Sequence, residues 1–397
     1  MTTAEWLSPL IAGLHALQSY ALQALAALGL VDTVAGQPGW PFDWRLSGDN
    51  LVADAPNARR LAAVVVALMI AVGLAGIALV GRRHRRWLLG AAVALPLLVP
   101  WPDRSVVLVP AHPTSFHRSP TGFSAQAIVA GQALYTAHCA ACHGADGRGD
   151  GPAAGRQPVW PPDFIGPLLW RRADGDLFWH IRDGVVDRHG RQTMPGFGPV
   201  LGDAGIWQVI DFLKAQSAGQ SLRLTGAWRQ PVRLPASTID CAGESSSSAG
   251  PPWRGQRLRV VAPADDRPLP IEDPRLVTIA LLAPTGGGTA PTGARPDADC
   301  RIDDASAWTA LTLVTGGEPP AGRQWLVDRA GWLRAVSTPG SVGWSDEDLV
   351  CRSAPGARDD ATAGARPDRR RGLDGLGRLL AAIDADPVRV IDGVRTH

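Results

Sequence analysis

Apolar positions follow two regimes along the chain. Up to about residue 110 they form long runs; beyond it they recur at helical spacing or alternate in short stretches between polar segments. The run at 61–81, LAAVVVALMIAVGLAGIALVG, carries no charge. At about 1.5 Å of rise per residue it can cross a bilayer as one helix. The run at 6–31 is broken by His15, Gln18, Ser19, Tyr20 and Gln23, and predicts a second, more polar span. It lacks the basic leader and small-residue cleavage site of a signal peptide. A third run begins at Trp87, just behind Arg82-Arg83-His84-Arg85-Arg86, and continues with Pro96 inside it. A short loop this basic belongs on the cytoplasmic side. The expected membrane region is therefore 1–110, with helices at 6–31, 61–81 and 87–110 and the segment 36–60 outside. His15 has no partner histidine in these runs and is read as packing between helices rather than as a ligand.

Further on, 125–138 reads as a helix with Gly131 and Tyr135 on one face. The segment 203–218, DAGIWQVIDFLKAQSA, spaces Ile206, Val209, Ile210 and Leu213 as a helix does. Phe212 is expected to meet Gly131 where the two cross. From 222 onward, strands are predicted at 258–261, 276–282 and 325–327, with a closing helix at 373–383. QWLVDRAGWLRA at 324–335 has the form of a hairpin, two strands about an Asp-x-x-Gly turn. The Ser-, Gly- and Pro-rich stretches between them are linkers.

Length allows two or three units in 397 residues. A net charge of +2, with Lys214 as the sole lysine, gives no basic surface for nucleic acid. The five cysteines are Cys139, Cys142, Cys241, Cys300 and Cys351. The last three can form one disulfide and leave one thiol, with the pairing open.

Cys139-Ala140-Ala141-Cys142-His143 changes the picture most. Two thiols three positions apart at a helix end reach both vinyl groups of one porphyrin, and the next residue, a histidine, falls under the iron. This is the attachment pattern of haem c. A zinc site needs a second pair of ligands, and none follows at motif spacing. A redox dithiol has no need of the adjacent histidine. The glycine-rich GADGRGDG that follows lacks the Gly-Lys-Ser/Thr of a phosphate loop. For the sixth iron ligand, Met1 and Met69 are out of reach. Met194, in the turn-rich TMPGFG, remains, with His180 or His189 as the alternative. Thioether ligation raises the potential of a haem. Phe164, Phe178 and Trp179 are candidate pocket walls.

The CAACHG, MPGFG and terminal helix, in that order over 123–218, resemble the class I cytochrome c domain. The resemblance implies an all-α fold, one covalent haem c held by Cys139, Cys142, His143 and Met194, and a proline carbonyl supporting the axial histidine. Pro161 and Pro162 both lie in the stretch for that role. PFDWRLSGDN, the long span, the basic loop and PAHPTSFHRSP are similar to the last helices of copper-resistance D-type membrane proteins, which carry more spans. The 324–335 hairpin resembles the late hairpin of thioredoxin-like domains, without their CxxC.

The expected fold is thus multi-domain: transmembrane helices, a cytochrome c domain at 123–218, and an α/β, degenerate thioredoxin-like accessory domain at 222–397. The expected function is one-electron transfer by a membrane-anchored monohaem cytochrome on the periplasmic face of a bacterial inner membrane. Its partners would be redox proteins or a larger respiratory complex. No catalytic residue is expected. The rival readings are a copper-homeostasis protein whose haem senses or reduces, and a structural accessory subunit.

Overall fold

The computed structural model describes residues 3–47, 50–51, 54–81, 84–166, 168–241, 253–264, 272–284, 298–341, 343–352, 374–391 and 394–396. The chain divides into two compact units. The first holds Met1–His117 with Arg171–Trp179 and Val390–Val394; the second holds Arg118–Trp170, His180–Arg389 and Arg395–His397. Arg82 and Arg83 of the basic loop, and most of the three low-complexity stretches after 240, lie outside the described residues.

In the first unit, α1 is Thr3–Ala27 and α2 is Ala55–Val80. The start of α2 is fixed by Asp54, whose carboxylate accepts the Asn57 N–H at 3.0 Å, and by a proline in the first turn. Within α2, Pro56–Leu79 holds an 18-residue stretch of mean hydropathy 2.7 and is, among the described residues, the one helix both long and apolar enough to cross a membrane. Two of the polar residues that weaken α1 face protein: Gln18 Oε1 accepts the Leu46 N–H at 2.9 Å, and His15 stacks on Phe116 with centroids 5.4 Å apart, whereas Tyr20 and Gln23 are exposed.

The third apolar run differs from expectation. It is helical only over α3, Arg85–Leu98, 14 residues or about 21 Å. Pro100 and Pro102 prevent its continuation. The chain then re-forms as strand β2, Leu108–Pro110, which pairs antiparallel with β1, Trp44–Leu46. Residues 87–110 are therefore not one helix. The same unit buries a polar cluster against the start of α6, Asp174–Asp183. Arg45, 3% exposed, donates to the Asp176 carboxylate at 2.9 Å, and the Ser115 hydroxyl donates to its other oxygen. Thr114 Oγ1 donates to the Gly175 carbonyl at 2.6 Å.

In the second unit, α4 (Ala125–His138) crosses α7 (Gly198–Thr225), which bends at Gly202. They meet at Gly131, where an added Cβ would lie 2.9 Å from the Phe212 Cβ, as the spacing of these residues predicts. Between them in sequence lie α5 (Ala140–His143) and a two-stranded hairpin, β3 (Val185–Val186) with β4 (Gln192–Met194).

The rest of this unit is a six-stranded sheet of β5 (Asp240–Cys241), β6 (Leu258–Val261), β7 (Val277–Leu281), β8 (Cys300–Ile302), β9 (Gln324–Val327) and β10 (Leu333–Val336). The strand order is β10-β9-β6-β7-β8-β5. β6, β7 and β8 run parallel; β9, β10 and β5 are antiparallel to their neighbours. The predicted 324–335 hairpin is β9–β10. Cys241 and Cys300 face each other across β5 and β8 and form a disulfide, which resolves the open pairing. The closing helix α9, Gly375–Ala385, lays Leu376, Leu379, Leu380 and Ile383 on Leu276, Leu326 and Ala335.

Helix α8, Ala305–Val314, joins the sheet to the helices: a Cβ on Gly219 of α7 would lie 1.8 Å from the Leu313 carbonyl oxygen. Trp228 Nε1 adds a 3.0 Å hydrogen bond to the Val314 carbonyl. α7 and α8 therefore pack backbone to backbone.

Candidate functional site

The site is built around one helical turn. α4 ends at His138; Cys139 closes it with its N–H on the Tyr135 carbonyl, and α5 restarts at once and ends at Gly144, φ 77°. Cys139, Cys142 and His143 thus share a single short turn.

A helix end leaves carbonyls without partners, and here the glycine-rich segment supplies them. Gly149 N–H donates to the His143 carbonyl at 2.8 Å, Gly151 N–H to Cys142 at 3.2 Å, and Ala153 N–H to Ala141 at 2.8 Å. The return is so tight that a Cβ on Gly149 would lie 2.2 Å from the Pro161 carbonyl oxygen, and one on Gly151 2.4 Å from that of Ala141. Those glycines make a helix cap. Tyr135, 1% exposed, donates its hydroxyl to the Gly144 carbonyl at 2.7 Å. Burial raises its pKa, so it stays a donor.

His143 is 8% exposed and stacks on Phe164, with centroids 4.7 Å apart and planes 21° from parallel. Its Nδ1 is buried without a regular hydrogen bond. Burial lowers its pKa, and the Pro162 backbone beside it acts in the opposite direction. Of the two candidate prolines, it is Pro162 whose backbone engages the histidine; Pro161 abuts Gly149 instead. The net result is a neutral imidazole, the form that binds a metal. Cys139 is buried and its thiol is pushed up to about 11, by burial first and by the Cys142 thiol second. Gln157 Nε2 lies 3.5 Å from Cys142 Sγ. Nothing in the spacing around Gln157 signals that contact.

The remaining predicted residue stands on another element. Met194 ends β4, opposite Val185, and is half-buried. Of its rivals, His189 is exposed in the turn between β3 and β4, with its Nε2 accepting from Arg188 Nε at 3.0 Å. His180 is half-buried on α6. Among the candidate pocket walls, Phe164 meets His143, whereas Trp179 stacks on His112 at 5.3 Å and Phe178 is fully buried.

A turn presenting two thiols beside a buried neutral imidazole fits a covalently held porphyrin whose iron the histidine would ligate. Residues 126–213 match the family model for cytochrome c oxidase, cbb3-type, subunit III. The chain contains a cytochrome c domain, and such a domain implies haem c. One solved structure with a similar chain is the Kuenenia stuttgartiensis reducing HAO-like protein complex Kustc0457/Kustc0458, at 22% identity and a TM-score of 0.22. That match covers 34% of this chain and 61% of the other, so this chain spans less than two thirds of its length. No curated protein matches.

Proposed function

We propose that the chain is a membrane-anchored monohaem c-type cytochrome that passes single electrons at the periplasmic face of a bacterial inner membrane. It serves as a carrier or as a subunit of a respiratory complex. The observation that carries this reading is the His143 turn: two thiols and a buried neutral imidazole within the five positions 139–143, capped by their own glycine loop. When bound, the haem supplies a ferric/ferrous couple. Cys139 and Cys142 would tether it, and His143, steered by Phe164 and Pro162, would ligate the iron together with Met194. With one CxxCH in the sequence, one haem c per chain follows.

The anchoring rests on Pro56–Leu79, with the basic segment 82–86 holding the end of α2 in the cytoplasm. The chain returns outward through α3 and the proline-rich segment after it. The Cys241–Cys300 disulfide favours the same side for the sheet, since such bonds persist in oxidising compartments. The strand order β10-β9-β6-β7, a parallel pair flanked by an antiparallel hairpin, supports a thioredoxin-like sheet. Its cysteines sit 59 residues apart in the chain rather than in a CxxC. The sheet packs on α4 and α7 through α8, which favours an accessory rather than a catalytic part.

Potentiometric titration of the purified protein tests the reading. It predicts one n = 1 wave, with iron and polypeptide in equal amounts. Reporter fusions after Arg86 and after Ser124 should fall on the cytoplasmic and periplasmic sides. A redox-silent protein, or both reporters on one side, contradicts it.

A further inference from the structure

The Met194 loop is laid backbone against backbone on the C-terminal end of α6. Phe197 N–H donates to the Ile181 carbonyl at 2.8 Å, and Thr193 Oγ1 donates to the Val185 carbonyl at 3.1 Å. The closest approach is at Gly184, φ 82°, where an added Cβ would lie 2.5 Å from the Met194 carbonyl oxygen, 2.8 Å from the Gly196 nitrogen and 2.9 Å from the Pro195 carbonyl carbon. The fit is reciprocal: a Cβ on Gly196 would lie 2.8 Å from the Arg182 carbonyl oxygen. Real Cβ contacts are essentially never under 3.0 Å, and these neighbours are backbone, which cannot swing aside.

A helix C-terminus in the left-handed region asks only for glycine or asparagine. Gly184 must satisfy more than that. Gly190, six residues on in the same hairpin, has a similar φ of 76° but open space around it. Position 190 needs a positive φ, whereas position 184 also needs the absence of a side chain.

We infer that Gly184 is a positioning residue for the distal iron ligand: by admitting the Met194 backbone to contact, it fixes how far the thioether reaches toward the His143 side. This rests on Met194 being that ligand. The cap at Gly149 and Gly151 performs the same service for His143, so both ligand-bearing segments are seated by glycines that a methyl group would displace.

The test compares the full-length detergent-solubilised wild type with Gly184→Ala, Gly184→Asn, Gly190→Ala and Met194→Ala. Readouts are covalent haem, the weak far-red band of thioether-ligated ferric haem, and midpoint potential. Asparagine tolerates a positive φ but still carries the offending Cβ, so it separates the collision from backbone strain and serves if the alanine variant does not fold. Both Gly184 variants are expected to keep covalent haem, lose the far-red band and shift in potential toward Met194→Ala. Gly190→Ala should keep both band and potential. A far-red band and wild-type potential in Gly184→Asn would overturn the inference, and so would loss of the band in Gly190→Ala to the same degree. If instead the wild type has no such band and Met194→Ala changes nothing, it is the Met194 ligation that fails.

Discussion

A Cβ on Gly131 would lie 2.0 Å from the carbonyl oxygen of Gln208. The crossing of α4 and α7 therefore has no room for a methyl group, and the approach is set by backbone rather than by adjustable side chains. α4 leads directly into the Cys139–His143 turn, so the crossing also fixes where that turn begins. Gly131→Ala is expected to destabilise the protein by about 3 kcal/mol. Thermal unfolding followed by circular dichroism measures this; an unchanged transition would show that α4 and α7 can separate at little cost.

The first unit has a comparable weak point in its buried ion pair. Arg45 and Asp176 are 3% and 8% exposed, and their 2.9 Å contact joins β1 to the start of α6. Removing one partner takes a counter-charge from a buried ion, at a cost of about 3 kcal/mol. Asp176→Ala should accordingly expose this unit to limited proteolysis, while a surface change such as Arg191→Ala, 63% exposed on its side chain, should not. Equal resistance of both variants would show that the pair contributes little.

Thiol counting distinguishes the three kinds of cysteine. Cys241 and Cys300 are joined, and Cys139 and Cys142 are expected to be thioethers, which leaves Cys351 of the five. Burial pushes Cys351 up to about 12 from the ordinary 9.0, so it carries no thiolate at neutral pH. Iodoacetamide should therefore label none of the cysteines in the folded protein, Cys351 alone after unfolding, and Cys351, Cys241 and Cys300 after unfolding with reduction. Labelling of Cys139 and Cys142 on unfolding would mean that they are not thioether-linked. Because the folded pKa is raised, the thiol's contribution to stability is complete below pH 9 and is lost as pH climbs from 9 toward 12. Cys351→Ala should flatten that alkaline decline; an identical decline would exclude the thiol as its source.

What the sequence reveals about this fold follows from how local each feature is. The CxxCH turn, the helix at 203–218 and the 324–335 hairpin are written in spacings of a few residues, and each stands where its pattern puts it. The Gly131–Phe212 contact was also legible, because two strongly patterned helices have few ways to cross. The run from 87 to 110 was not, since hydropathy does not register that Pro100 and Pro102 end the helix or that 108–110 pairs with Trp44–Leu46. The partner of Cys241 depends on a strand pairing between residues 59 apart in the chain. Nor could spacing choose between Pro161 and Pro162, which both lie against Gly149 while the Pro162 backbone also engages His143. Gln157 and Gly184 matter only through segments that fold back on them.

Covalent attachment of the haem is the claim on which the rest depends, and in-gel peroxidase staining after denaturing electrophoresis tests it directly. The wild-type band should stain and carry one haem per chain, and Met194→Ala should stain equally, because thioether links do not depend on the sixth ligand. Replacing Cys139 and Cys142 together with serine should abolish the stain. Undiminished staining in that double variant, or an unstained wild type made in cells that mature other c-type cytochromes, would contradict the account.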